Sequence, residues 1–235
     1  MISKRLVNDP IICVAQSQYE VYKDFNPDCE IVCHPDDVVG LIPKRNWMAK
    51  YFGDCFMLDD DVYSFNRVWV ERGESQPIKS RARITRAINE LYELAELLDV
   101  HLFGFGNKTS PTMYPDNKFL SLSNAITGCA YGIRYNENVW WNELLKLKED
   151  FWISCYIKHK ERVVLTDRRY CFHQKDTFVS SGGLAEIRNQ DEERRNILLM
   201  RKYFGPVISL KKQSNNGRYK TIDKVKYNIS AHFPL

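Results

Sequence analysis

No apolar run in the 235 residues approaches the roughly 20 needed to cross a bilayer. Residues 1–10 carry charge and two chain-breaking residues where a secretion signal needs an apolar stretch, so export is not expected. Glycine (11) and proline (9) are too few for a fibrous or low-complexity chain. The seven cysteines are odd in number and scattered through apolar stretches, the usage of reduced thiols in the cytoplasm. Cys29 and Cys33 are the closest pair, and no second pair completes a zinc site. What is present suits a soluble globular protein: 44% of residues are apolar and 27% charged. At this length about 70% of the unfolded surface can be buried, so folding needs neither disulfide nor metal.

The net charge of +4 is unevenly spread. Between Arg201 and Lys226 eight cations face one acid, Asp223, a local balance of +7, while the remainder sums to −3. This predicts a slightly acidic body over 1–205 and a basic C-terminal extension over 206–235.

Short apolar runs at 11–15 and 30–33 read as strands, the first buried on both faces. A helix over 43–51 is stopped by Gly53, and 54–58 leads into a third strand. Ser80 is a candidate N-cap for a long helix in which Ile84, Ala87, Ile88, Leu91, Leu94, Ala95 and Leu98 recur at three- and four-residue steps. Strands follow at 100–105, 118–122 and 130–135. Helical patterns return at 138–148 and 184–204, the latter closed by Gly205-Pro206. Interleaved strands and helices predict a three-layer α/β fold.

The most informative segment is Phe56-Met57-Leu58-Asp59-Asp60-Asp61-Val62. Three acids after an apolar strand repel one another unless something positive sits there. If the strand's alternation continues, Asp59 and Asp61 share a side and Asp60 points elsewhere. Two hard oxygen ligands then suit Mg²⁺ or Mn²⁺, with diphosphate oxygens and water completing the shell. Read alone, the run fits a solvated acidic turn equally well.

Gly40-Leu41-Ile42-Pro43-Lys44-Arg45-Asn46, a helix, then Leu-Asp-Asp-Asp-Val resembles the nucleotide-binding half of GT-A-type glycosyltransferases. The resemblance implies a GT-A (Rossmann-like) mixed sheet flanked by helices, over roughly residues 11–185. It also implies that Asp59 and Asp61 are metal ligands of an Asp-x-Asp motif, with Asp60 near the donor's ribose or sugar and Arg45 near the nucleotide. Thr127-Gly128-Cys129-Ala130-Tyr131-Gly132 resembles the glycine-bearing segment beside the donor sugar, placing Gly128 and Gly132 at the donor. Lys148-Glu149-Asp150-Phe151 resembles the Glu-Asp motif under the acceptor hydroxyl, with Asp150 as general base. Tyr170-Cys171-Phe172-His173 puts His173 where many members supply a third metal ligand. Gly182 and Gly183, ahead of a helix, can present backbone N–H groups to the donor's anion. Each segment has an ordinary structural explanation as well: a turn, a helix cap, a core histidine.

Lys211, Lys212, Arg218, Tyr219 and Lys220 interleave cations with an aromatic, a composition suited to phosphate contact and base stacking. Arg81, Arg83 and Arg86 crowd the start of the long helix, where cations oppose the helix dipole. Both clusters also fit a solvated surface. A compact GT-A-like chain with a basic end resembles the phage TET-associated glycosyltransferases and the base J glucosyltransferases. That resemblance implies a nucleotide-sugar donor, UDP-linked, and a divalent cation. Its acceptor would be DNA carrying 5-hydroxymethylcytosine or 5-hydroxymethyluracil, in the cytoplasm of a host cell. The alternatives are a glycosyltransferase acting on protein or glycan, a metal-dependent nuclease, and a DNA-binding module.

Overall fold

Alternation along the strands sorts side chains onto two faces, and helices cover both. The structure is a computed structural model that describes residues 2–68, 76–107, 118–174, 187, 189–210 and 229–231. In chain order the strands are β1 (Ile11–Ala15), β2 (Glu30–His34), β3 (Cys55–Leu58), β4 (Val62–Arg67), β5 (Gln76–Pro77) and β6 (Leu102–Gly106). They continue with β7 (Leu120–Ser121), β8 (Ala130–Ile133), β9 (Leu165–Gln174), β10 (Ile208–Leu210) and β11 (Ile229–Ala231). The α-helices among the described residues are α1 (Tyr19–Phe25), α2 (Leu41–Phe52), α3 (Arg81–Leu97), α4 (Glu149–Glu161) and α5 (Gln190–Phe204).

Seven strands form one mixed sheet in the order β3-β8-β6-β9-β4-β5, with β7 paired to β9. β8 runs antiparallel to both β3 and β6, and β6 runs parallel to β9. On one face Ile42 and Ala49 of α2, Trp152 and Ile153 of α4, and Ile197 and Met200 of α5 pack with Met57, Leu102 and Tyr131. On the other, Ile84, Ile88, Leu91 and Ala95 of α3 pack with Phe65, Phe103, Phe105 and Phe172. This is the three-layer α/β arrangement that the alternating pattern predicts, with the Rossmann-like mixed sheet that the resemblance implies. As the sequence suggests, Ser80 caps α3, its side chain accepting the Arg83 N–H at 3.4 Å.

Three local expectations are revised. β1 is not buried on both faces: Ile12 and Val14 are buried while Ile11 is 46% exposed, because β1 forms a separate parallel pair with β2. Residues 138–148 form turns and extended chain rather than a helix. Asparagine side chains take the backbone groups that a helix would have paired. Asn136 Oδ1 accepts from Asn138 N at 2.8 Å, and Asn142 Oδ1 from Leu144 N at 3.0 Å. Asn46 of α2 clasps Trp141, donating to its carbonyl at 2.8 Å and accepting its N–H at 2.9 Å. Asn196 of α5 accepts from the N–H groups of Lys146 and Leu147. Third, the helix expected over 184–204 breaks at Asn189, which accepts the Glu192 N–H at 2.9 Å as the N-cap of α5; residues 184–186 and 188 lie outside the described residues. β10 pairs antiparallel with β11, and Ile208 is buried in the core, three residues past the expected end of the body.

Candidate active site

The strand directions bring the chemistry-bearing segments to one edge of the sheet. β3, β6 and β9 end there, and β8 and β4 begin there, as ligand sites of open α/β sheets require. The acid run is a tight turn between β3 and β4. Asp59 donates its N–H to the Cys129 carbonyl at 2.9 Å, and its own carbonyl accepts from Val62 N at 3.3 Å. The Asp60 carbonyl accepts from Ile2 N at 3.0 Å and Ser3 N at 3.4 Å, so the N-terminal residues fasten this turn. Asp59 and Asp61 are half-buried and Asp60 is exposed, the division expected from alternation but produced by a turn.

Arg45 lies inside α2 and is only 3% exposed. Its guanidinium forms an ion pair with Asp59 and lies 5.3 Å from the Tyr131 ring centre. Burial opposes its charge, but Tyr131, Asp59 and Glu149 around it more than restore the charged form. Burial pushes the Asp59 carboxyl above its ordinary range, and Arg45 pulls it back. The two halves of the candidate site, the acid turn and the start of α4, thus share one buried cation.

Asp150 is fixed by two backbone donors, Gly128 N to Oδ2 at 2.8 Å and Phe151 N to Oδ1 at 2.8 Å. Gly128 has φ +107°, open to glycine and costly for other residues, so that position orients the N–H toward Asp150. Burial raises both Glu149 and Asp150, and the charge of Asp150 adds to the rise at Glu149. The backbone bonds favour the ionised form of Asp150.

A cleft of about 230 Å³ opens at the same edge, lined by Asn107, Thr127, Gly128, Cys129, His173 and Gln174 among others. Asn107 Nδ2 donates to Thr127 Oγ1 at 2.7 Å along its rim. Burial holds the His173 imidazole below its ordinary value, which favours the neutral form. Asp61 Oδ1 and His173 Nε2 are buried without a hydrogen-bonding partner. A carboxylate oxygen and a neutral imidazole nitrogen left in this condition fit a divalent cation. Asp59 Oδ1 is paired with Arg45. Among the described residues no three His, Cys, Asp or Glu side chains converge as a metal cage. A cation here would thus take further ligands from a bound phosphate and water.

Gly132 stands apart from this group. It pairs with Phe103 across the sheet, and a side chain at 132 would overlap the Phe103 ring, so its glycine answers a packing need. Gly182, Gly183, Lys211, Lys212, Arg218, Tyr219 and Lys220 lie outside the described residues. Two contributors escaped the sequence reading. Gln174 hydrogen-bonds the Asp61 side chain, and the buried Tyr131 lies under Arg45. Gln174 follows His173 directly, and Tyr131 sits inside the glycine-bearing segment, so proximity to those motifs was the available signal.

Neither the curated proteins nor the solved structures compared with the chain include a match. A family model described as TET-Associated Glycosyltransferase matches residues 3–183, a span that contains the acid turn, Arg45, the Glu149–Asp150 pair and His173. The chain belongs to the TET-associated glycosyltransferase family and is a glycosyltransferase.

Proposed function

We propose that this glycosyltransferase moves a sugar from a UDP-linked donor to the hydroxymethyl group of a modified pyrimidine in DNA, with Mn²⁺ or Mg²⁺. The observation that carries the reading is the placement of orphaned Asp61 and His173 atoms and of Asp150 along one sheet edge. Asp61 and His173 would hold the cation, which when bound neutralises charge on the departing diphosphate. Asp59, gripped by Arg45, fixes the turn that presents Asp61. Asp60, exposed at the tip, is free to meet the donor's ribose or sugar. Asp150 accepts the proton of the acceptor hydroxyl as that oxygen attacks the anomeric carbon. A pyrimidine in a duplex must leave the stack for its hydroxymethyl group to reach the donor.

One panel tests this: purified protein, Mn²⁺ or Mg²⁺, several nucleotide sugars, and plain or hydroxymethylated DNA, read by the mass shift of the nucleosides. A hexose-sized shift confined to hydroxymethylated DNA is expected. Donor hydrolysis without stimulation by that DNA favours a protein or glycan acceptor, and cutting of plain DNA without a sugar nucleotide favours a nuclease. Asp61→Ala should lower transfer by about 10²-fold or more and remove cation-dependent donor binding, with an unchanged melting temperature. Full transfer by that variant would remove Asp61 from the site.

A further inference from the structure

We propose that the face built by the N-terminal turn and the start of α3 carries the backbone of duplex DNA past the acid turn. The inference rests on the reading above that the acceptor is DNA. Arg5, Lys79, Arg81, Arg83 and Arg86 are all exposed. Among the described residues Arg86 pairs with Glu90 at 2.9 Å, while Arg5, Lys79, Arg81 and Arg83 form no ion pair. No acid lies in the first turn of α3, so the helix dipole adds to the positive potential instead of cancelling it.

The tertiary contacts join these cations to the candidate site. Arg81 Nε donates to the Arg5 carbonyl at 3.0 Å, and Asn8 N donates to Thr85 Oγ1 at 2.9 Å. The short 3₁₀ turn Ser3–Arg5 then leads back to the Asp60 carbonyl through Ile2 and Ser3. At about 2 Å of rise per residue, this connection keeps the Arg81 guanidinium within about 12 Å of the acid turn. A duplex whose target base reaches the cleft has flanking phosphates at that range. Its dense, regular negative charge matches a cluster of exposed cations that have no acidic partner among the described residues and read no sequence.

The test compares wild type with Arg5→Gln/Arg81→Gln/Arg83→Gln and with a control, Lys50→Gln/Arg194→Gln, whose cations lie on α2 and α5. Binding to an unmodified duplex is measured by fluorescence anisotropy across a salt series. Sugar transfer to hydroxymethylated DNA and to a free 5-hydroxymethylpyrimidine nucleoside is measured in parallel. The triple variant should bind about tenfold more weakly, with a salt slope shallower by about 0.9 per lost phosphate contact. It should keep donor hydrolysis and transfer to the nucleoside, and its melting temperature should hold because two of the three changes relieve the start of α3. Unchanged affinity and slope, or equal losses in the control, overturns the surface while leaving the proposed transfer reaction standing. Loss of duplex binding in the triple variant, with no transfer by wild type to any DNA, supports the surface and defeats the proposed acceptor instead.

Discussion

Glu149 shows how one buried side chain sets the pH behaviour of the site. Burial and the neighbouring charge of Asp150 raise its pKa above the unfolded value, so between the two values the folded chain holds the extra proton. Folding stability contributed here is therefore present at low pH and is lost as pH rises through the folded value. Glu149→Gln mimics the protonated form and escapes that loss. Its melting temperature should match wild type near pH 5 and exceed it near pH 8 and above. A gap that shrinks toward high pH would contradict the assignment. Arg45 is the counterpart: the arginine that the resemblance puts near the nucleotide is buried against Asp59 and Tyr131. Its residue type was legible beside the motif, but its burial depends on where β8 delivers Tyr131.

Among the elements, β6 and β8 explain why a glycine sits mid-strand. Gly132 faces Phe103, whose ring fills the place of a side chain and joins the cluster under α3. Gly132→Ala should cost about 1–3 kcal/mol by overpacking, and Phe103→Leu in the same chain should recover part of it. Thermal melts of the single and double variants check this; additive losses would show that the two residues do not compete for space. α3 was legible because its apolar repeat and Ser80 cap are local signals, and the structure keeps both. The 138–148 segment misled because its apolar spacing resembles a helix. Its backbone is instead claimed by Asn46 and Asn196, which arrive from α2 and α5, 95 and about 50 residues away in sequence. No window around residue 140 contains that information.

For the whole molecule, the N-terminal residues tie separate parts together. Ile2 and Ser3 hold the acid turn, Arg5 and Asn8 hold α3, and Lys4 donates to Asn26 beside α1, while Leu6 is buried in the core under α3. Deleting residues 1–8 should lower the melting temperature by about 5–10 °C, given a few degrees per kcal/mol at this size. Donor affinity should fall as well, because the turn that presents Asp61 loses its fastening. Retained donor affinity in a destabilised truncation would separate the fold from the site. Among the described residues no helix is long and apolar enough to cross a membrane. The sequence by itself determined the alternating α/β pattern, the acid run, the Glu149–Asp150 pair and the order in which they occur, because these depend on residue type and short spacing. The tertiary structure decided that Asp59 answers to Arg45 and that Asp61 and His173 keep unpaired buried atoms. It also decided that Gly132 makes room for Phe103 and that the Arg5–Arg81 face adjoins the acid turn. Those facts arise from contacts between segments distant in sequence, and burial and pairing exist only once the chain has brought such segments together.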